Sequence, residues 1–99
     1  MNINNDLFNI LRKLHIAKNI TQRKLAKELG MSLGKLNYCL KELKKKGLIK
    51  VKNFQQNKDK LRYIYLLTPK GISQKTKLTL KFMKKKMKEF EELNREINS

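Results

Sequence analysis

Ninety-nine residues with 39% apolar content suffice for one modest domain, and a core of that size is commonly supplemented by dimerisation. The 25 lysines and arginines outnumber 8 acids, and the resulting net charge of +17 points to an anionic partner. The longest apolar run, Tyr63 to Leu67, is too short to span a membrane, and a single cysteine with a single histidine excludes an intramolecular disulfide and a zinc site built within one chain.

Residues 1–88 carry 24 bases and 4 acids, whereas 89–99 carry 1 base and 4 acids, so the positive excess is organised and the acidic end is a separate feature. Asp6 and Arg12 interrupt any signal-peptide reading of the first residues. A cytoplasmic chain is expected, off the membrane and without metal or cofactor.

Along the chain, Leu7, Ile10, Leu11, Leu14 and Ala17 stand at helical spacing, which predicts a helix over 5–17 with Asn5 or Asp6 as its N-cap. Thr21 is placed to cap a short helix over 22–29, with Leu25, Ala26 and Leu29 inward and Arg23, Lys24 and Lys27 outward. Gly30 then supplies a residue free to take a positive φ, and Ser32 caps a third helix that buries Leu36, Cys39, Leu40 and Leu43 and ends at Gly47. Alternation in "LIKVKNF" and "KLRYIYLLT", separated by the polar "QQNKDK", predicts a β-hairpin with a basic tip. Thr68 and Pro69 open a last helix that runs to about Asn98.

Two helices joined by a short glycine turn form a helix-turn-helix, whose second helix enters a major groove. The helix from Ser32 to Lys46 is then the reader, and Ala26 lets the supporting helix cross it closely. At about 100° per residue the face opposite Leu36 carries Gly34, Tyr38, Lys41 and Lys45, flanked by Lys35, Asn37 and Glu42. Ser32, Lys35, Asn37 and Tyr38, at its start, are the candidates for base edges, while Lys41, Lys44 and Lys45 suit phosphates. Gly34 permits close approach of the backbone. Thr21 and Arg23 on the supporting helix are assigned to DNA as well, and Lys58, Lys60 and Arg62 of the hairpin to flanking phosphates or the minor groove.

The segment "ITQRKLAKELGMSLGKLNYCLKELKKKGLIK", together with Asp59 and then Leu67, Thr68 and Gly71 around the second strand, resembles the MarR-type winged-helix transcriptional regulators, and more narrowly their short branch associated with exopolysaccharide genes. The resemblance covers roughly residues 5–90. It implies a dimeric regulator of bacterial transcription that acts on double-stranded DNA, with surface-polysaccharide genes as targets. Where the larger family usually has an arginine two residues after the wing aspartate, this chain has Leu61, which leaves Arg62 or Lys60 to replace it. Set against typical family members the chain is also expected to be short, without most of an N-terminal dimerisation segment.

The expected fold is mainly α with a small β-hairpin: a winged helix-turn-helix over 1–68 and a long dimerisation helix over 69–99, forming one structural unit. Ile72, Thr76, Thr79, Met83, Met87, Phe90, Leu93 and Ile97 lie along one side of that helix, widened near its start by Leu78, Leu80 and Phe82, and residues 80–97, with Leu80, Met83, Met87, Phe90, Leu93 and Ile97, are expected to pack on a second copy. Cys39 reads as a small core residue and His15 as a surface or interface residue. No phosphate loop, paired acids or nucleophile triad points to catalysis, so an enzyme is not expected, and no small-molecule effector is assigned. The alternative function is an RNA-associated or protein-docking adaptor, which the scarcity of exposed aromatics disfavours for single-strand recognition.

Overall fold

The computed structural model describes the backbone of residues 3–17, 20–57 and 60–99, and the side chains of 5–17, 20–53 and 63–99. The chain order is α1 (Ile3–Ile16), α2 (Gln22–Leu29), α3 (Leu33–Lys45), β1 (Ile49–Asn57), β2 (Lys60–Leu67) and α4 (Pro69–Asn98). The molecule is elongated, 67 × 26 × 21 Å, because α4 projects well beyond the rest.

The core forms where the apolar stripes of the first three helices meet. Ile10, Leu11, Leu25, Leu36 and Leu43 are almost completely buried there, with Leu7, Leu14, Ile20, Ala26, Cys39, Leu40, Leu48 and Ile49 closing around them. Among the described residues no polar or charged residue is buried, so this core is held by apolar burial alone. A fully buried leucine contributes about 1.5–3 kcal/mol relative to an exposed one.

Helix ends are set by the residues that the spacing singled out. Thr21 Oγ1 accepts from Lys24 N at 3.3 Å and Ser32 Oγ accepts from Lys35 N at 3.1 Å, each satisfying a donor that the first helical turn leaves unpaired. At the other ends, Gly30 (φ 65°) and Gly47 (φ 75°) adopt left-handed backbone. Met31 N then reaches Ala26 O at 2.9 Å and Leu48 N reaches Leu43 O at 3.0 Å, the paired closure that a left-handed residue makes possible.

Helix α1 starts earlier than the spacing predicts. It begins at Ile3, which places Asn5 and Asp6 inside the helix rather than at its cap. Asp6 belongs to the first turn, where its charge still complements the macrodipole, and it reaches across to α3.

Strands β1 and β2 pair antiparallel from Ile49 opposite Leu67 to Asn57 opposite Lys60, with an irregularity between Gln55 and Asn57. The ladder thus extends into the polar segment read as a loop, because backbone pairing in a two-stranded ribbon does not require apolar side chains. Lys58 and Asp59 lie outside the described residues.

The start of α4 is locked to the end of α3. Thr68 N donates to Leu48 O at 3.0 Å, Thr68 Oγ1 donates to Gly47 O at 2.6 Å and accepts from Gly71 N at 3.0 Å, and Lys70 Nζ donates to Lys46 O at 3.0 Å. Gly71 is buried so closely that a Cβ there would stand 2.0 Å from Leu48 O. Farther along, the Phe8 and Phe82 rings meet at 5.9 Å, and Lys75 Nζ lies 2.9 Å from His15 Nδ1. Phe82, expected to widen the free stripe, is instead turned onto α1.

Candidate nucleic-acid interface

Burial of Leu36, Cys39, Leu40 and Leu43 fixes the rotation of α3, and with it the identity of the outward face. Asn37, Tyr38, Lys41, Lys44 and Lys45 are all exposed, Tyr38 by 55%, and Tyr38, Lys41 and Lys45 follow one another at helical spacing on one side. Gly34 is exposed on the same side with open space where a Cβ would stand. Lys44 and Lys45 occupy the last turn, where positive charge offsets the negative end of the helix dipole while leaving both ammonium groups in solvent.

The helix start is more constrained. Ser32 is exposed, and its hydroxyl oxygen is used as the cap acceptor, which leaves the O–H as a donor for an external group. Lys35 is half-buried and its Nζ lies 3.1 Å from Asp6 Oδ2, so α1 ties down a side chain that the helical angle alone had offered to base edges. This cross-helix pair had no signal in either segment read separately.

On α2, Thr21 and Arg23 line an open surface together with Lys24, Lys27 and Glu28. Arg23, Lys24 and Lys27 are exposed and make the outward side of α2 positive. Lys24 and Lys27 were legible as outward residues but were not assigned to the interface; their shared helix face with Arg23 was the available signal. Lys50 and Lys52 are both exposed on β1 of the hairpin. Lys58 and the side chains of Lys60 and Arg62 lie outside the described residues, while the backbone of Lys60 and Arg62 belongs to β2, opposite Asn57 and Phe54.

Two contacts tie α2 to its neighbours, one to the hairpin and one to α1. Tyr65 Oη donates to Gln22 Oε1 at 3.1 Å, and burial pushes the Tyr65 phenol above its ordinary value. Lys13 and Glu28 form a 3.2 Å ion pair between α1 and α2. Cys39 is 2% exposed, and burial, reinforced by the Asp6 charge, raises its thiol above the ordinary value, so the reactive thiolate is disfavoured. A cleft of about 300 Å³ separates the body from the first turns of α4, lined by Leu7, Leu11, Leu43 and Leu78 with Lys46 and Lys70 at its rim.

Against known proteins, residues 7–50 match a family model described as winged helix-turn-helix DNA-binding. Among curated proteins, none matches the chain by sequence. Solved structures with the same architecture include Staphylococcus aureus MepR bound to DNA, 24% identical, covering 85% of this chain and 61% of that one at a TM-score of 0.73. A MarR-family transcription regulator is 26% identical over 80% of this chain and 51% of its own, at a TM-score of 0.69. The Streptomyces coelicolor regulator PcaV, in complex with its natural ligand, is 18% identical over 80% and 55%, at a TM-score of 0.72. The chain thus spans between 51% and 61% of the length of these proteins. From α1 through the hairpin and into a long last helix, it has the winged helix-turn-helix fold that these regulators share.

Proposed function

We propose that the chain is a sequence-specific, double-stranded DNA-binding transcription regulator that acts as a homodimer. The observation that carries this is the outward face of α3, where Asn37, Tyr38, Lys41 and Lys45 stand exposed on a helix whose opposite side is sealed into the core. In this reading α3 enters the major groove, Asn37 and Tyr38 meet base edges, and Lys41 and Lys45 meet phosphates, while the hairpin rests on the flanking backbone or minor groove. The net charge of +17 supplies long-range attraction for the duplex. The gene target offered by the sequence resemblance is a surface-polysaccharide cluster, and mapping of occupied promoters in the source cell tests that part.

The decisive experiment is selection from random duplexes with a single-stranded RNA pool as competitor. An enriched pseudo-palindromic duplex motif is expected; enrichment of no duplex would favour an adaptor instead. On the selected site, Lys41→Ala should weaken all sequences alike and reduce the log-log salt slope by about one, whereas Asn37→Ala should also relax specificity.

A further inference from the structure

From Leu80 onward, apart from Phe82, the apolar side chains of α4 have no cover among the described residues. Leu80, Met83, Met87, Phe90, Leu93 and Ile97 are between 51% and 81% exposed, which leaves an apolar stripe with no protein against it among the described residues. Positions 80, 83, 87, 90, 94 and 97 alternate steps of three and four, the spacing of the inner seam of a two-stranded coil, with Asn94 as its single polar member. Asn94 Oδ1 already accepts from Asn98 Nδ2 at 3.3 Å along its own helix, which lessens the cost of placing it in a seam.

The charges beside the stripe set direction. Lysines occupy 81, 84, 85, 86 and 88, and glutamates occupy 89, 91, 92 and 96. A parallel pair would lay lysine block on lysine block and acid on acid, whereas an antiparallel pair lays each on its opposite. An antiparallel pair also keeps the two strongly basic bodies, which clasp α4 as far as the Phe8–Phe82 contact, at opposite ends.

Resting on the dimer reading above, the geometry points to an antiparallel α4–α4 coil with a second copy of this chain, in the register that sets Met87 against the partner's Phe90 and Leu80 against the partner's Ile97. Lys84 and Glu91 select that register. They hold equivalent positions one heptad apart on the same flank, and neither has an ion-pair partner among the described residues, whereas Lys86 is already held by Glu89 at 3.4 Å. In the chosen register Lys84 faces the partner's Glu91, twice by symmetry. Slipping one heptad in either direction sets Lys84 against the partner's Lys84 or Glu91 against the partner's Glu91.

The test uses the full chain with Cys39→Ala, so that no native thiol competes. Sedimentation at micromolar concentration should show a dimer. Under mild oxidation, Leu80→Cys alone and Ile97→Cys alone should give no covalent dimer, and the mixture of the two should give a covalent heterodimer. Covalent homodimers of either single variant overturn the antiparallel orientation. A mixture that stays uncrosslinked while sedimenting as a dimer overturns the register. Lys84→Glu and Glu91→Lys should each weaken dimerisation about tenfold, two exposed pairs being converted from attraction to repulsion, and the double variant should recover wild-type affinity; a double variant as weak as the singles overturns the pairing. A wild-type dimer that persists in Phe90→Asp overturns this coil while the dimer reading survives, and a wild-type monomer overturns both.

Discussion

In the winged body the large apolar side chains of α1, α2 and α3 face one another and are mostly less than a tenth exposed, whereas those repeating along distal α4 are exposed by half or more. The two regions use the same residue types at the same helical spacing. What differs is the presence of a facing element: three helices close on each other, and the end of α4 has none among the described residues. An amphipathic stripe therefore specifies that burial is needed but not where the cover comes from. In the body the cover is local; on α4 a second copy supplies it in the reading proposed above.

The largest expected effect separates the regions directly. Leu36 is fully buried, so Leu36→Ala should lower unfolding stability by about 2–5 kcal/mol, through lost burial and a residual cavity. That loss should not depend on protein concentration. Leu93→Ala empties no cavity within the chain, so its effect should grow only under conditions where the dimer forms and vanish on dilution. Urea unfolding at two concentrations a hundredfold apart checks both; a large, concentration-independent loss for Leu93→Ala would place that residue in the folded core of a single chain.

A second prediction concerns the joint between the regions. Gly71→Ala forces a methyl group against Leu48 O, where the backbone approach leaves 2.0 Å, and backbone cannot rotate aside as a side chain can. Destabilisation of about 1–3 kcal/mol is expected, with a shift of α4 against the end of α3. Because Thr68 and Lys70 hold the Lys46 and Gly47 carbonyls at that joint, the same variant should also weaken duplex binding more than its stability loss explains. Unchanged affinity at a temperature where the variant is fully folded would show that the joint does not set the pose of α3.

Much of this was legible in the sequence for a definable reason. Thr21, Ser32, Thr68, Gly30 and Gly47 act on backbone groups within a few residues, so local rules place them, and each appears in the structure with the hydrogen bond or left-handed φ its position calls for. Burial of Leu36, Leu40 and Leu43 follows from period alone. What period and capping rules do not contain is contact between distant segments. Asp6 was readable as a cap because acids favour helix starts, but α1 extends past it and its carboxylate meets Lys35 of α3 instead. The same blindness hid the pairing of Phe8 with Phe82, which removes one aromatic from the free stripe, and the extension of the hairpin ladder to Asn57.

The smallest effects come from two glycines of opposite kind, and they separate fold from function. Gly30 stands at φ 65° with open space around it, so Gly30→Ala should cost about 1 kcal/mol from backbone conformation alone, without touching DNA affinity in the folded state. Gly34 lies within α3 and needs no unusual backbone, so Gly34→Ala should raise stability by about 0.5–1 kcal/mol through better helix propensity. Yet Gly34 shares the outward face with Tyr38 and Lys41, and in the complex proposed above an added methyl there would separate that face from base edges in the groove. Calorimetric stability should therefore rise while affinity for the selected duplex falls. A variant that gains stability and keeps full affinity would mean that the start of α3 does not approach the bases closely, leaving Lys41 and Lys45 to bind phosphates from a helix seated higher in the groove.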